Sequence, residues 1–189
     1  AVLGAGSWGT ALAMQLARVG HSVHFWARDA AHVERMRATG ENSRYLPGVD
    51  LEAGISPVAD LDHALEGVDR ILLAVPCSAF ASVLGRISER LDPERGLAWA
   101  SKGFEPGSGR LLSETARDLL GTSVPLAAVT GPSFAGEVAR GLPTAVSVGA
   151  SEPEFGRSWA ALLHGSRFRA YYTADLVGAQ LGGAVKNVL

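Results

Sequence analysis

Two hydrophobic periods alternate along this chain, one helical and one extended, and the switches between them mark its elements. A short apolar run, Ala1-Val2-Leu3, meets a glycine-rich turn. From Trp8 to Val19 apolar residues recur at helical spacing (Ala11, Leu12, Leu16, Val19), with Gln15 as a polar break and Gly20 closing the helix. Ser22 to Ala27 reads as a buried strand, Ala30 to Thr39 as a short charged helix, and Gly40 to Gly54 as a loop. Ile55 to Val58 predicts a short strand whose Pro57 suits only an edge or an end. A helix over Ala59 to Gly67 leads to Arg70–Val75, a near-continuous apolar run of the kind found in parallel sheets, which Pro76 ends. Further helices are expected at Ser78–Leu91, Arg110–Leu120 and Glu152–Leu163, and from about Asp175 onward. The remaining strands are expected at Gly96–Ala100, Pro125–Val129, Thr144–Ala150 and Phe168–Tyr172. This alternation predicts an α/β fold with a doubly wound, mostly parallel sheet. Ligands of such sheets sit beyond the carboxyl ends of the strands, here Gly4–Gly9, Arg28, Val75–Ser78, Ser101–Gly103 and Thr130–Ala135.

The first of those ends carries specific chemistry. Gly4, Gly6 and Gly9 stand in G-x-G-x-x-G spacing between a strand and a helix. Gly4 permits the tight turn, Gly6 admits a pyrophosphate close to the backbone, and Gly9 lets the helix pack on the sheet. The phosphates then sit at the helix N-terminus, where N–H groups and the dipole favour anions. At the end of the second strand, where an acid would bond the ribose of NAD or FAD, the chain has Arg28 and then Asp29. A guanidinium there suits a 2′-phosphate, so NADP(H) is the expected cofactor, with NAD(H) beside it. The alternative for Arg28 is a solvated strand end. Cys77, just past Pro76, reads as a small buried or half-buried thiol, with a ligand-facing role as the alternative.

The chain has 189 residues and a formal net charge of −2, which gives no reason to expect nucleic-acid partners or an anionic membrane. A single cysteine excludes an internal disulfide and a multi-cysteine metal site, and the five histidines show no ligand spacing. No metal is expected. No apolar stretch is long enough to span a bilayer and no signal-peptide pattern is present, so a cytoplasmic protein without membrane insertion is the expectation. The chain begins inside its first strand without an initiator Met and stops at Lys186-Asn187-Val188-Leu189 in a helical pattern, which reads as part of a longer protein.

Gly4-Ala5-Gly6-Ser7-Trp8-Gly9-Thr10-Ala11 and Asn42-Ser43-Arg44-Tyr45-Leu46-Pro47 are followed in order by Ala100-Ser101-Lys102-Gly103 and Thr130-Gly131-Pro132-Ser133-Phe134-Ala135. Gly141-Leu142-Pro143-Thr144-Ala145 and Gln180 to Asn187 complete the set. On these segments the chain resembles the bacterial type of NAD(P)-dependent glycerol-3-phosphate dehydrogenase along its whole length. The resemblance implies a Rossmann-type domain over residues 1–172, and over 173–189 the first helix of an all-α substrate domain otherwise missing from this chain. It implies hydride transfer between NAD(P)H and dihydroxyacetone phosphate, giving sn-glycerol 3-phosphate for phospholipid synthesis. Lys186 would be the acid–base group, and Lys102 would contact cofactor and substrate, polarising the carbonyl. A lysine pKa lowered by burial and a neighbouring cation would suit Lys186 to both directions.

Gly131 and Ser133 match substrate contacts, although Ser133 also reads as a simple N-cap on a helix running to Arg140. Ser7, Trp8, Tyr45 and Ala135 match cofactor contacts. The family's remaining substrate residues, an aspartate and a Ser-Arg-Asn segment, have no counterpart here, so this chain alone is expected to be inactive or nearly so. A homodimer through the missing domain is a further expectation. Two other readings stay open: a β-hydroxyacid or 6-phosphogluconate type dehydrogenase, and a module that senses NAD(P)H without chemistry.

Overall fold

A computed structural model describes residues 1–185. Eight strands form one sheet: β1 (Val2–Leu3), β2 (Val23–Trp26), β3 (Ile55–Val58), β4 (Leu72–Leu73), β5 (Leu97–Trp99), β6 (Leu126–Thr130), β7 (Thr144–Ala150) and β8 (Phe168–Thr173). Their order is β3-β2-β1-β4-β5-β6-β7-β8. Successive strand residues point to opposite faces, so each strand feeds two cores. Val2, Leu72, Ala98 and Val129 enter one core; Leu3, Leu73, Trp99 and Ala128 enter the other. Helices α1 (Ser7–Arg18), α2 (Ala30–Thr39), α6 (Ala135–Ala139) and α7 (Pro153–Leu163) contribute to the first core. Helices α3 (Leu61–Leu65), α4 (Cys77–Ile87), α5 (Leu112–Leu120) and α8 (Leu176–Val185) contribute to the second. Covered on both faces, the sheet is doubly wound, as the alternation predicted.

Pro57 lies on β3, which pairs with β2 alone at one edge of the sheet, where a missing N–H costs no ladder bond. The Arg70–Val75 run differs from its expectation, because only Leu72 and Leu73 form a strand. A ladder is no longer than its neighbours allow. Its partner β1 turns away at Gly4, and the pairing is confined to Val2↔Leu72 and Leu3↔Leu73. The Ala59–Gly67 helix likewise shrinks to Leu61–Leu65: Asp60 caps its start by accepting the His63 amide at 2.8 Å, and Glu66 ends it in extended backbone.

The sheet is parallel from β3 to β6, but β7 runs antiparallel to β6, and β8 is parallel to β7. The chain returns from Thr130 to Thr144 through the five-residue α6 and enters β7 antiparallel to β6. The eleven-residue α7 then joins β7 to the parallel β8.

Helix α8 packs on β6 and β7 through close approaches. A Cβ added at Gly149 would lie 2.5 Å from Ala179 Cβ, and one at Gly183 would lie 2.4 Å from Thr130 Oγ1. Gln180, buried on α8, accepts the Ser113 amide at 3.0 Å and donates to Ser113 Oγ at 2.9 Å. It thereby satisfies a first-turn N–H of α5 from a different helix. Gln180→Leu is expected to cost about 1–3 kcal/mol, the usual range for an orphaned buried group. Urea unfolding reads this as a lowered midpoint with an unchanged slope. An unchanged midpoint would mean that the contact stabilises nothing.

Candidate cofactor cleft

The glycine turn is built by contacts that leave no room for side chains at two of its three glycines. Gly4 leaves β1 at φ +124 while its N–H donates to Trp26 O at 3.0 Å. A Cβ there would stand 2.6 Å from Ala74 O. At Gly9 a Cβ would lie 1.9 Å from Gly4 O, so α1 can sit on the turn only with hydrogen at that position. Gly6 is different. It caps α1 with extended backbone, and a Cβ there would meet no protein atom within 4 Å. That space opens into a cleft, at the first turn of a twelve-residue helix with no acid in it. The cradle fits a pyrophosphate: backbone is accessible and the dipole favours anions.

A loop clasps the turn from above. Asn42, fully buried, donates through Nδ2 to Ala5 O at 3.0 Å and to Thr10 Oγ1 at 2.8 Å. Ser7 Oγ donates to Tyr45 O at 2.6 Å. Tyr45 meets His32 edge-to-face, ring centroids 5.6 Å apart. Burial, with Arg35 and Arg44 nearby, pushes the His32 pKa down.

The cleft measures about 740 Å³, within the range of cofactor sites, and runs along the carboxyl ends of β1, β2, β4 and β5. Gly4, Gly6, Ser7, Trp8, Arg28, Tyr45, Lys102, Ser133 and Ala135 all line it. Gly9 lies buried behind the turn, as its packing role requires. Gly131 is not among the lining residues, but its carbonyl accepts at 3.2 Å from Nζ of Lys102, which is. Lys102 is half-buried, with its ammonium 4.3 Å from the Trp8 ring centroid, so a cation–π contact and a backbone carbonyl hold the charge in the cleft. Ser101 Oγ donates to Val75 O at 2.5 Å, joining the ends of β5 and β4. Lys186 lies outside the described residues.

Ser133 departs from its N-cap reading. Helix α6 starts at Ala135 with Phe134 as its cap, and buried Ser133 donates to Gly131 O at 3.5 Å. Cys77 begins α4 as a half-buried thiol, and burial pushes its pKa up, away from the reactive thiolate. Sequence reasoning gave no chemistry to Asn42, Arg44 or Arg86. Asn42 and Arg44 lie in a segment whose closure over the turn leaves no periodic signal. Arg86, on α4, reaches the cleft 5.8 Å from the Trp26 ring centroid.

A second cavity of about 360 Å³, lined in part by Leu65, Gly67 and Leu91, carries charges that pair with one another, such as Arg95 with Asp69 at 2.7 Å. No group of three His, Cys, Asp or Glu able to hold a metal occurs among the described residues. No helix among them is long and apolar enough to cross a membrane.

The chain is 54% identical over all 189 residues to a glycerol-3-phosphate dehydrogenase [NAD(P)+] of Stenotrophomonas maltophilia, of which it covers 55%. It therefore spans about half the length of the curated relatives it matches. Its fold superposes on the glycerol-3-phosphate dehydrogenase of Coxiella burnetii with a TM-score of 0.92 and 46% identity, covering 98% of this chain and 57% of that one. The corresponding values for the glycerol-3-phosphate dehydrogenase of Saccharomyces cerevisiae are 0.85 and 26%, with 98% and 59% covered. The family described as NAD-dependent glycerol-3-phosphate dehydrogenase N-terminus matches residues 1–156, the span that contains the glycine turn, Arg28, Lys102 and the Gly131–Ala135 turn. With a cradle for pyrophosphate and a lysine held at one cleft, and with that match over most of its length, this chain belongs to the NAD-dependent glycerol-3-phosphate dehydrogenase N-terminal family.

Proposed function

We propose that this chain is the cofactor-binding part of a cytoplasmic NAD(P)-dependent sn-glycerol-3-phosphate dehydrogenase that reduces dihydroxyacetone phosphate, feeds phospholipid synthesis and forms a homodimer through its remaining part. The observation that carries this reading is the shared cleft, which joins the open space at Gly6 to the Lys102 ammonium. Residues 1–172 bind the cofactor, and 173–189 begin the substrate domain. Gly4, Gly6, Ser7 and Trp8 hold the pyrophosphate end, with Gly9 supporting the turn. Arg28 and Tyr45 hold the adenosine end, and Ala135 lines the nicotinamide end.

The nicotinamide, when bound, supplies the hydride to the ketone carbon. Lys102 polarises the ketone oxygen, while Gly131 and Ser133 hold the substrate. Lys186 gives its proton to that oxygen in reduction and takes it back in oxidation. The phosphate grip is completed by the rest of the protein, so the 189 residues alone bind NADPH without appreciable turnover.

One assay tests the reading: NADPH oxidation by the full-length protein with dihydroxyacetone phosphate, beside oxaloacetate, acetoacetyl-type and sugar-phosphate compounds. Consumption with dihydroxyacetone phosphate is expected. Consumption with another arm in its place supports a β-hydroxyacid or 6-phosphogluconate type enzyme; no consumption with any arm supports the sensing module. In the same protein Arg28→Glu is expected to raise the NADPH Kd about tenfold or more, a loss of about 1.4 kcal/mol. An unchanged Kd removes the 2′-phosphate role of Arg28.

A further inference from the structure

The adenosine end of the cleft holds an arrangement that Arg28 does not explain. Among the described residues that line the cleft, Asp29 is the sole acid. Both of its oxygens are engaged. Oδ1 accepts the His32 amide at 3.2 Å and caps α2, and Oδ2 pairs with Arg44 Nη1 at 3.3 Å. The acid nearest the position where an NAD-binding fold grips the ribose is therefore committed to a helix cap and a guanidinium.

Arg44 sits on the clasping loop, fixed at its root by the buried Asn42 and by the Ser7–Tyr45 contact. Its guanidinium lies 5.2 Å from the Tyr45 ring centroid, and about half of the side chain is in solvent. The exposed pair with Asp29 is weak by its nature, since solvent screens both partners. A phosphate dianion offers a guanidinium more charge and a better-matched fork of oxygens than one shared carboxylate does.

We propose that Arg44 decides between the two cofactors by exchanging partners. With NADP(H) it leaves Asp29 for the 2′-phosphate beside Arg28. With NAD(H) it stays on Asp29, and neither group contributes to the ribose. Asp29 acts as the competitor for Arg44 and as the cap of α2, and the loop anchored by Asn42 keeps Arg44 within reach of both. This inference rests on the dinucleotide reading given under the proposed function.

The test is a fluorescence titration of NADPH and NADH into the full-length protein, its Arg44→Gln variant and its Asp29→Asn variant, with unfolding midpoints measured alongside. Arg44→Gln is expected to weaken NADPH about tenfold or more, the size of one charge-assisted contact, while NADH changes less than about twofold. Asp29→Asn keeps a competent cap and removes the competing charge, so NADPH is expected to tighten while NADH does not. The NADPH advantage is expected to shrink with added salt, because the contact is exposed. Equal weakening of both cofactors by Arg44→Gln, or of neither, overturns the proposal, as does weaker NADPH binding in Asp29→Asn. Adenosine 2′,5′-bisphosphate and 5′-AMP, used as competitors, report the same difference without the nicotinamide. A wild-type protein that binds neither cofactor rejects the dinucleotide reading itself, an outcome distinct from loss of selectivity.

Discussion

Replacing Gly9 by alanine is expected to destroy NADPH binding and to destabilise the protein by about 3 kcal/mol or more, the upper range for overpacking a fixed core. The methyl group would stand 1.9 Å from Gly4 O. Neither backbone can yield. Gly4 is held by Trp26 O on one side and abuts Ala74 on the other, and Asn42 ties Ala5 and Thr10 together across the turn. Gly6→Ala is the informative partner. Its methyl group meets no protein atom, so stability is expected to change by less than about 1 kcal/mol. NADPH affinity should nevertheless fall sharply, because the methyl group fills the space left for the pyrophosphate. Urea unfolding and NADPH titration of both variants separate the two roles. Normal affinity in Gly6→Ala would mean that the cradle is not where phosphate binds.

Two lysine variants of the full-length protein carry the second large effect. Lys102→Met is expected to lower kcat/KM for dihydroxyacetone phosphate about 100- to 1,000-fold, the scale for removing one preorganised donor. NADPH binding should weaken only modestly. The methionine retains an unbranched stem beside Trp8 but loses the charge that reaches Gly131 O. Lys102→Arg is expected not to restore activity, because a planar fork cannot occupy the point between the Trp8 face and the Gly131 carbonyl as an ammonium does. Lys186→Ala is expected to abolish turnover while NADPH still binds, since it removes the proposed proton donor and leaves the glycine turn untouched. Steady-state kinetics beside equilibrium titration distinguish the steps. Near-normal turnover in either truncation would remove that lysine from the proposed chemistry.

Several features were legible because they are local. The Gly4–Gly9 spacing, the helical pattern after it and the proline that sends Ile55–Val58 to an edge each depend on backbone geometry within a few residues. The Arg70–Val75 run misled because hydrophobicity reports burial, whereas strand length depends on the neighbouring strand. Ser133 was open to a capping role on sequence grounds, but the start of α6 depends on how the chain leaves Gly131. The reversal of β7 was equally hidden, since strand direction belongs to the assembled sheet and leaves no mark on the hydrophobic pattern of β7 itself.

The sequence by itself determined an α/β alternation, a turn fit for phosphate and a cation in place of an acid at the end of β2, because hydrophobic period and glycine spacing are properties of adjacent residues. The tertiary structure decided which of these groups share one cleft. Asn42 reaches Ala5 across 37 positions and Lys102 reaches Gly131 across 29, contacts that no local pattern encodes. It also decided that Asp29 is committed to a helix cap and to Arg44, because the loop that brings Arg44 close is held by buried hydrogen bonds to the turn rather than by any periodicity of its own.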